Sequence, residues 1–203
     1  MACGAEIQTS TNVYLCSKCM EHLPITTETQ TIHFSPFRYE EPIRTMILKL
    51  KYADNGFIAK ALAPYLAAVY LQHIQKIFKQ PPVIIPVPLH RSRQHERGYN
   101  QSIILANELA TYLNLPVITN ALIRGKKTTI QKQMDAATRA SNLHGAFTIT
   151  PDQNSQIKNK NILLLDDVYT TGATTHECAT TLLQNGARQV AILTIASVES
   201  NVN

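Results

Sequence analysis

The sequence predicts an α/β domain built on a parallel sheet, preceded by a small cysteine-rich segment. Three observations predict it. Apolar runs of strand length alternate with stretches of helical periodicity, which implies parallel strands joined by right-handed crossovers. Ile162-Leu163-Leu164-Leu165 is apolar without alternation, as a strand covered on both faces must be. Two acids, Asp166 and Asp167, close that run, and a small-residue turn, Thr170-Thr171-Gly172-Ala173-Thr174, then opens a helix. The carboxyl end of a strand is where open α/β sheets take their ligands.

Residues 1–33 have little apolar periodicity and hold three of the four cysteines, so they are assigned to the cysteine-rich segment, and residues 34–203 to the α/β domain. Ile43, Met46, Ile47 and Leu50 recur at helical spacing. A longer helix is predicted from Phe57 to Phe78, with Pro64 near its first turns or marking a break. Pro81-Pro82 ends it, and Val83 to Pro88 reads as a strand leaving into a loop. Tyr99 to Leu113 is an amphipathic helix, with Ile103, Ile104, Leu105, Leu109 and Leu113 as its apolar positions. Val117 to Ile123 offers one or two short strands. Gly125 to Asn142 is polar, basic and poor in core residues, as a mobile loop is. A helix from Thr174 to Asn185 ends with Gly186 in the C′ position, and Gln189 to Ala196 is the final strand.

Composition narrows the classes. With 203 residues, 44% hydrophobic and 16% charged, the chain holds one sizeable core and a small appendage, and its composition is not that of a disordered chain. The longest apolar candidate, around Ile58 to Leu71, is broken by Lys60 and Pro64, so no membrane insertion is expected. The first residues lack a basic region followed by an apolar core, so no secretory signal is read and a cytoplasmic location is expected. A net charge of +5 admits nucleic-acid or phosphate partners. No P-loop and no G-x-G-x-x-G occurs, and His176-Glu177 lacks the second histidine of a zinc-protease motif because residue 180 is Thr.

The chemistry of the 162–175 stretch follows from its residue types. Unpaired N–H groups and the helix dipole favour an anion at the start of the helix, threonine hydroxyls add donors, and Gly172 lets the backbone approach closely. A phosphate fits the turn, and polyol hydroxyls fit the carboxylates. The bland alternative is an N-capped helix after a strand, with Asp166 and Asp167 as ordinary loop acids. A second constellation, Pro86-Val87-Pro88-Leu89-His90-Arg91 through Arg93 and Arg97 to Gly98-Tyr99-Asn100-Gln101, opens at the same sheet edge. Its arginines suit a second anion, which a guanidinium grips in a bidentate fork; the alternative is a surface loop with a helix start. A third is Cys3 with Cys16-Ser17-Lys18-Cys19, whose C-x-x-C spacing in a reducing compartment favours metal over disulfide. Cys178 is read as a packed thiol.

The 162–175 stretch resembles the signature of the type I phosphoribosyltransferases, which bind phosphoribosyl pyrophosphate (PRPP). Pro-Val-Pro-Leu-His, then Arg-Gly-Tyr-Asn-Gln, then Arg124, Gln131, Arg139, Asn142, Gly145 and Phe147 in order, narrow the resemblance to the competence protein F family of phosphoribosyltransferase-like proteins. The resemblance covers nearly the whole chain, with Tyr169 standing where an aliphatic residue is usual.

That resemblance implies a parallel-sheet, Rossmann-like type I phosphoribosyltransferase fold with an N-terminal zinc knuckle. It gives Asp166 and Asp167 to the ribose hydroxyls as the catalytic acids, and Thr170, Thr171, Gly172, Ala173 and Thr174 to the 5′-phosphate. The loop carrying Arg91, Arg93 and Arg97 becomes the pyrophosphate region, and the segment with Arg124, Gln131 and Arg139 a mobile hood. Mg²⁺ comes with PRPP. Zn²⁺ is expected on Cys3, Cys16 and Cys19; the fourth ligand would be a cysteine just before Met1 in a longer protein, or else His22, His33 or water. The implied role is DNA uptake in natural transformation, in the cytoplasm, beside a helicase-like ATPase and possible single-stranded DNA. The alternative is an active phosphoribosyltransferase that passes the phosphoribosyl group to a nitrogen nucleophile. An amidophosphoribosyltransferase is disfavoured, because its glutamine-hydrolysing half needs a large domain of its own.

Overall fold

The computed structural model describes residues 32–52, 56–125 and 145–198, all within the unit Thr31–Asn203. Its main sheet is parallel throughout. The strands β1 (Ile32–Phe34), β2 (Phe37–Arg38), β3 (Val83–Pro86), β6 (Asn161–Tyr169) and β7 (Gln189–Ser197) make five strands in the order β1-β7-β6-β3, with β2 pairing farther along β7. Ile32 and His33 are therefore part of the sheet, ahead of the boundary expected at residue 34. A separate antiparallel pair joins β4 (Leu122–Arg124) to β5 (Phe147–Ile149). Val117 adds a parallel bridge to Ile84, so the expected short strands between Val117 and Ile123 appear as a bridge and then β4.

Helices cover both faces. They are α1 (Ile43–Tyr52), α2 (Gly56–Val69), α3 (Arg91–Arg97), α4 (Gln101–Leu113), α5 (Asn154–Ile157) and α6 (Ala173–Gln184). The unbroken apolar run of β6 explains this layering, because its alternate residues feed two cores. Leu163 and Leu165 pack with Ile47, Leu62, Leu66, Leu105 and Leu109 of α1, α2 and α4. Ile162 and Leu164 pack with Cys178 and Leu182 of α6 and with Leu122 and Phe147. Each such side chain, once fully buried, contributes roughly 1.5–3 kcal/mol. The Cys178 thiol is buried as expected, which pushes its pKa well up.

Three elements differ from the sequence reading. Pro64 sits inside α2 without breaking it, and the helix continues through a π-helical turn at Tyr70–Ile74. The resulting Gly56–Ile74 stretch, 19 residues of mean hydropathy 1.2, is long and apolar enough to cross a membrane by length and composition. Here Leu62, Leu66, Tyr70 and Ile74 lie in the core instead. The stretch after Val87 is not simply a loop, because it forms α3. His90 Nδ1 accepts from the Ser92 N–H at its start, and Gly98, at φ 78°, ends it. Finally, β6 does not stop at Leu165. It runs on to Tyr169 with its pairing to β7 intact, so Asp166 and Asp167 lie within the strand rather than beyond it.

Candidate active site

The acid pair sits where β3 leaves the sheet. The pairing of β3 with β6 ends at Pro86 opposite Leu165, and the Val87 N–H closes the ladder onto the Leu165 carbonyl at 2.9 Å. Beyond that step β6 has only β7 as its neighbour in the sheet among the described residues, so the acids line a notch at the sheet's carboxyl edge. This is the crevice position expected of an open α/β sheet.

The start of α4 forms one wall of the notch. Asn100 caps α4, its Oδ1 accepting from the Ser102 N–H at 3.0 Å, while its Nδ2 donates to the Val87 carbonyl at 3.0 Å. One buried side chain thus ties the arginine-rich stretch to the exit of β3. The next two residues reach the acids. Ser102 Oγ donates to Asp166 Oδ1 at 3.1 Å, and Gln101 Nε2 to Asp167 Oδ2 at 3.4 Å. Lys51, from the end of α1, pairs with Asp167 Oδ2 at 2.6 Å. Burial, and then the neighbouring Asp167 charge, push the Asp166 carboxyl up to about 7, against the Asp167 backbone hydrogen bond, Lys51 and Ser102.

The turn after β6 has the shape the residue types call for. Gly172, buried and at φ 73°, is the N-cap of α6 and makes no side-chain cap. Its carbonyl takes the His176 N–H at 2.8 Å and the Thr175 hydroxyl at 3.0 Å, while Thr170 and Thr171 are exposed. The first N–H groups of α6 consequently face the turn. Tyr169 and His176 arch over Gly172 and share a hydrogen bond of 2.9 Å between the phenol oxygen and Nε2. His33 stacks flat on Tyr169 at 3.7 Å, and its Nε2 meets Thr194 Oγ1 at 2.9 Å. Burial, with His176 nearby, lowers the His33 pKa to about 4, so this ring is neutral at physiological pH.

The basic residues divide. Arg97 donates to Gln101 Oε1 at 3.2 Å and lies over the Tyr52 ring at 5.0 Å. Arg93 is exposed on α3, and Arg91 is the first residue of that helix. Arg124, on β4, lies over the Phe147 ring at 5.5 Å and is close enough to Arg93 and Asp166 to feel both charges. Burial, with Arg93 adding, lowers its pKa. Arg124 is thus the basic residue whose charge couples both to Arg93 and to Asp166. Gln131, Arg139, Cys3, Cys16 and Cys19 lie outside the described residues.

Sequence reading missed Lys51 and Ser102; it offered His33 as a zinc ligand and noted Tyr169 and His176 separately, whereas His33 stacks on Tyr169, meets Thr194 and forms one group with Tyr169 and His176. Gln101 stood in the Arg-Gly-Tyr-Asn-Gln stretch without a role, while Gly98 and Asn100 suggested a special turn before the next helix, which they form as the cap of α3 and the start of α4. Nothing in the spacing marks Lys51, which reaches Asp167 only through the fold.

A comparison with protein-family models gives no match. Among curated proteins, the chain is 32% identical over 196 residues to competence protein F of Haemophilus influenzae, covering 96% of this chain and 82% of that protein. The chain belongs to the competence protein F family. A second family member, the DNA utilization protein YhgH of Escherichia coli K12, is 31% identical over 179 residues, 87% of this chain and 75% of its own. Competence protein ComFC of Bacillus subtilis is 28% identical over 154 residues, 75% of this chain and 58% of that one. Among solved structures, the allosteric regulatory enzyme of purine biosynthesis overlays at a TM-score of 0.46 and 17% identity, over 73% of this chain and 30% of that one. A hypoxanthine phosphoribosyltransferase from Staphylococcus aureus overlays at 0.41 and 16%, over 68% of this chain and 64% of its own.

Proposed function

We propose that this competence protein F family member binds PRPP and acts in DNA uptake during natural transformation. The observation that carries the binding half is the pairing of two site parts across one strand end. Asp166 and Asp167 lie in the notch beside β3, and five residues beyond Asp167 the left-handed Gly172 opens α6. A ribose bridging these parts would give its hydroxyls to the carboxylates and its phosphate to the N–H groups of the turn. The DNA half rests on the relatives, which are named for competence and for DNA utilization.

Among the described residues, no cluster of three or more His, Cys, Asp or Glu converges as a metal cage. Mg²⁺ fits as a cation carried chiefly on the oxygens of PRPP, where it would offset the charge of the pyrophosphate. In this reading the chain's own residues do the positioning. Ser102 and Gln101 orient the acids, the turn fixes the phosphate, and Arg93 and Arg124 supply positive charge beside them. Arg91, Arg97 and Arg139 would add positive charge for the pyrophosphate and Gln131 a neutral amide donor, and Cys3, Cys16 and Cys19 would hold Zn²⁺. The protein would work in the cytoplasm with a helicase-like ATPase, its basic loops meeting single-stranded DNA.

The coupling of Arg124 to Asp166, with Arg93 near Arg124, favours a second reading, an active phosphoribosyltransferase. There the C1–oxygen bond to pyrophosphate breaks with its electron pair leaving on the pyrophosphate, a nitrogen nucleophile forms the new C1 bond, and its proton passes to the departing anion or to water while the arginines hold that anion. Replacing the gene in its host with Asp166→Asn/Asp167→Asn tests the main proposal. Transformation frequency is expected to fall to that of a deletion, with protein level unchanged. Undiminished transformation by the folded variant would refute the role of the acid pair.

A further inference from the structure

The last turn of α1 makes three consecutive connections to the site. The Leu50 carbonyl accepts the Tyr99 hydroxyl at 2.7 Å. Lys51 Nζ lies 2.6 Å from Asp167 Oδ2. The Tyr52 ring lies beneath the Arg97 guanidinium. One short segment therefore touches the acid pair, the arginine-rich helix α3 and the turn that follows it. The central contact is shielded, since the Lys51 and Asp167 side chains keep 19% and 8% of their exposure. An exposed Lys–Asp pair fixes little, because water competes for both partners. In a shielded pair, removing one partner leaves a charge alone in a poor dielectric, so the two hold each other in place.

We propose that Lys51 is a positioning residue for the acid pair: it fixes Asp167 through Oδ2 and supplies the counter-charge that lets the pair offer carboxylate oxygens to the hydroxyls of a ligand. This rests on the ribose-binding reading above. Among the described residues, the groups that bear on the pair come from four elements. Lys51 comes from α1, Arg124 from β4 and the Cys178 thiol from α6, while Ser102 and Gln101 of α4 donate neutral hydrogen bonds. Arg93 on α3 bears on Arg124 in turn. Lys51 is the cation in ion-pair contact with these acids among the described residues. With Oδ2 taken by the ammonium and Oδ1 receiving the Val168 N–H at 2.9 Å, Asp167 has one settled orientation. Two adjacent carboxyls without that ammonium would share a proton more readily, and a protonated carboxyl is a poor acceptor for a diol.

The test compares the parent with Lys51→Met, Lys51→Gln and Lys51→Arg, with thermal melts to select folded variants. Carbon-13 NMR follows the aspartate carboxyls with pH, and calorimetry follows PRPP·Mg²⁺ affinity between about pH 6 and 9. In Lys51→Met or Lys51→Gln the Asp166 carboxyl, which the Lys51 charge holds down, should titrate about one unit higher. PRPP affinity at pH 7 should fall about fivefold and recover towards pH 9, because a one-unit rise from about 7 takes the ionised fraction of Asp166 from about one half to about one eleventh. Lys51→Arg should return both readings towards the parent. A folded uncharged variant with the parent's carboxyl titration and pH profile overturns the inference. Should the folded parent not bind PRPP while the uncharged variants still raise the carboxyl titration, the ribose reading fails and the hold of Lys51 on the acids stands.

Discussion

Gly172 carries the tightest local constraint in the site. Its φ of 73° belongs to the left-handed region, and a Cβ there would meet the Tyr169 ring and hydroxyl and come within 2.7 Å of His176 Cδ2. Those two side chains are tied to each other by their hydrogen bond, and His33 backs the tyrosine, so neither is a loose end that can swing away. Gly172→Ala is expected to cost about 1–3 kcal/mol in urea denaturation, from backbone strain and displacement of the Tyr169–His176 pair. PRPP binding should be lost with it. A variant of parental stability and affinity would show that the turn is looser than described. At this scale the sequence was legible where a residue type has few uses: paired acids, a glycine in a hydroxyl turn, arginines in a row. It was silent where the meaning lies in a partner far along the chain. Lys51 and Asp167, or His33 and Tyr169, meet only because the sheet and α1 bring them together.

Among elements, α4 shows how capping places chemistry. Asn100 both starts the helix and holds the β3 exit, and the two residues after it reach the acids. Asn100→Ala should destabilise the fold by about 1–2 kcal/mol in denaturant titrations. It should also weaken PRPP binding beyond what stability explains, since Ser102 and Gln101 lose their register. Unchanged affinity in a destabilised but folded variant would separate the cap from the site. The periodic elements α4 and β7 were readable, as was the end of α6, where Gly186 N–H bonds Leu183 and Ala187 N–H bonds Leu182 in the expected left-handed stop. Others hid for physical reasons. The acids look like the end of β6, yet β7 alone sustains its pairing to Tyr169. β1 and β2 are short edge strands without an apolar run, so nothing local announces them. The arginine-rich stretch lacks a core face, and only its His90 and Gly98 ends make α3 a helix.

For the whole molecule, the alternation of strands and helices was enough to predict a parallel sheet, and the apolar run of β6 enough to predict cover on both faces. What the order of elements could not show is the notch itself. It exists because β3 is shorter than β6 and leaves the acids beside α4, α1 and β4. The central claim is that this notch and the Gly172 turn together take PRPP. The measurement that tests it most directly is calorimetric titration of PRPP, with and without Mg²⁺, into the parent and into Asp166→Asn/Asp167→Asn. Mg²⁺-assisted binding to the parent is expected. That binding should strengthen as pH rises through about 7, because the raised Asp166 carboxyl must lose its proton to accept a hydroxyl. It should vanish in the double variant. A folded parent that takes up no PRPP, or a double variant that binds it as the parent does, would contradict the account.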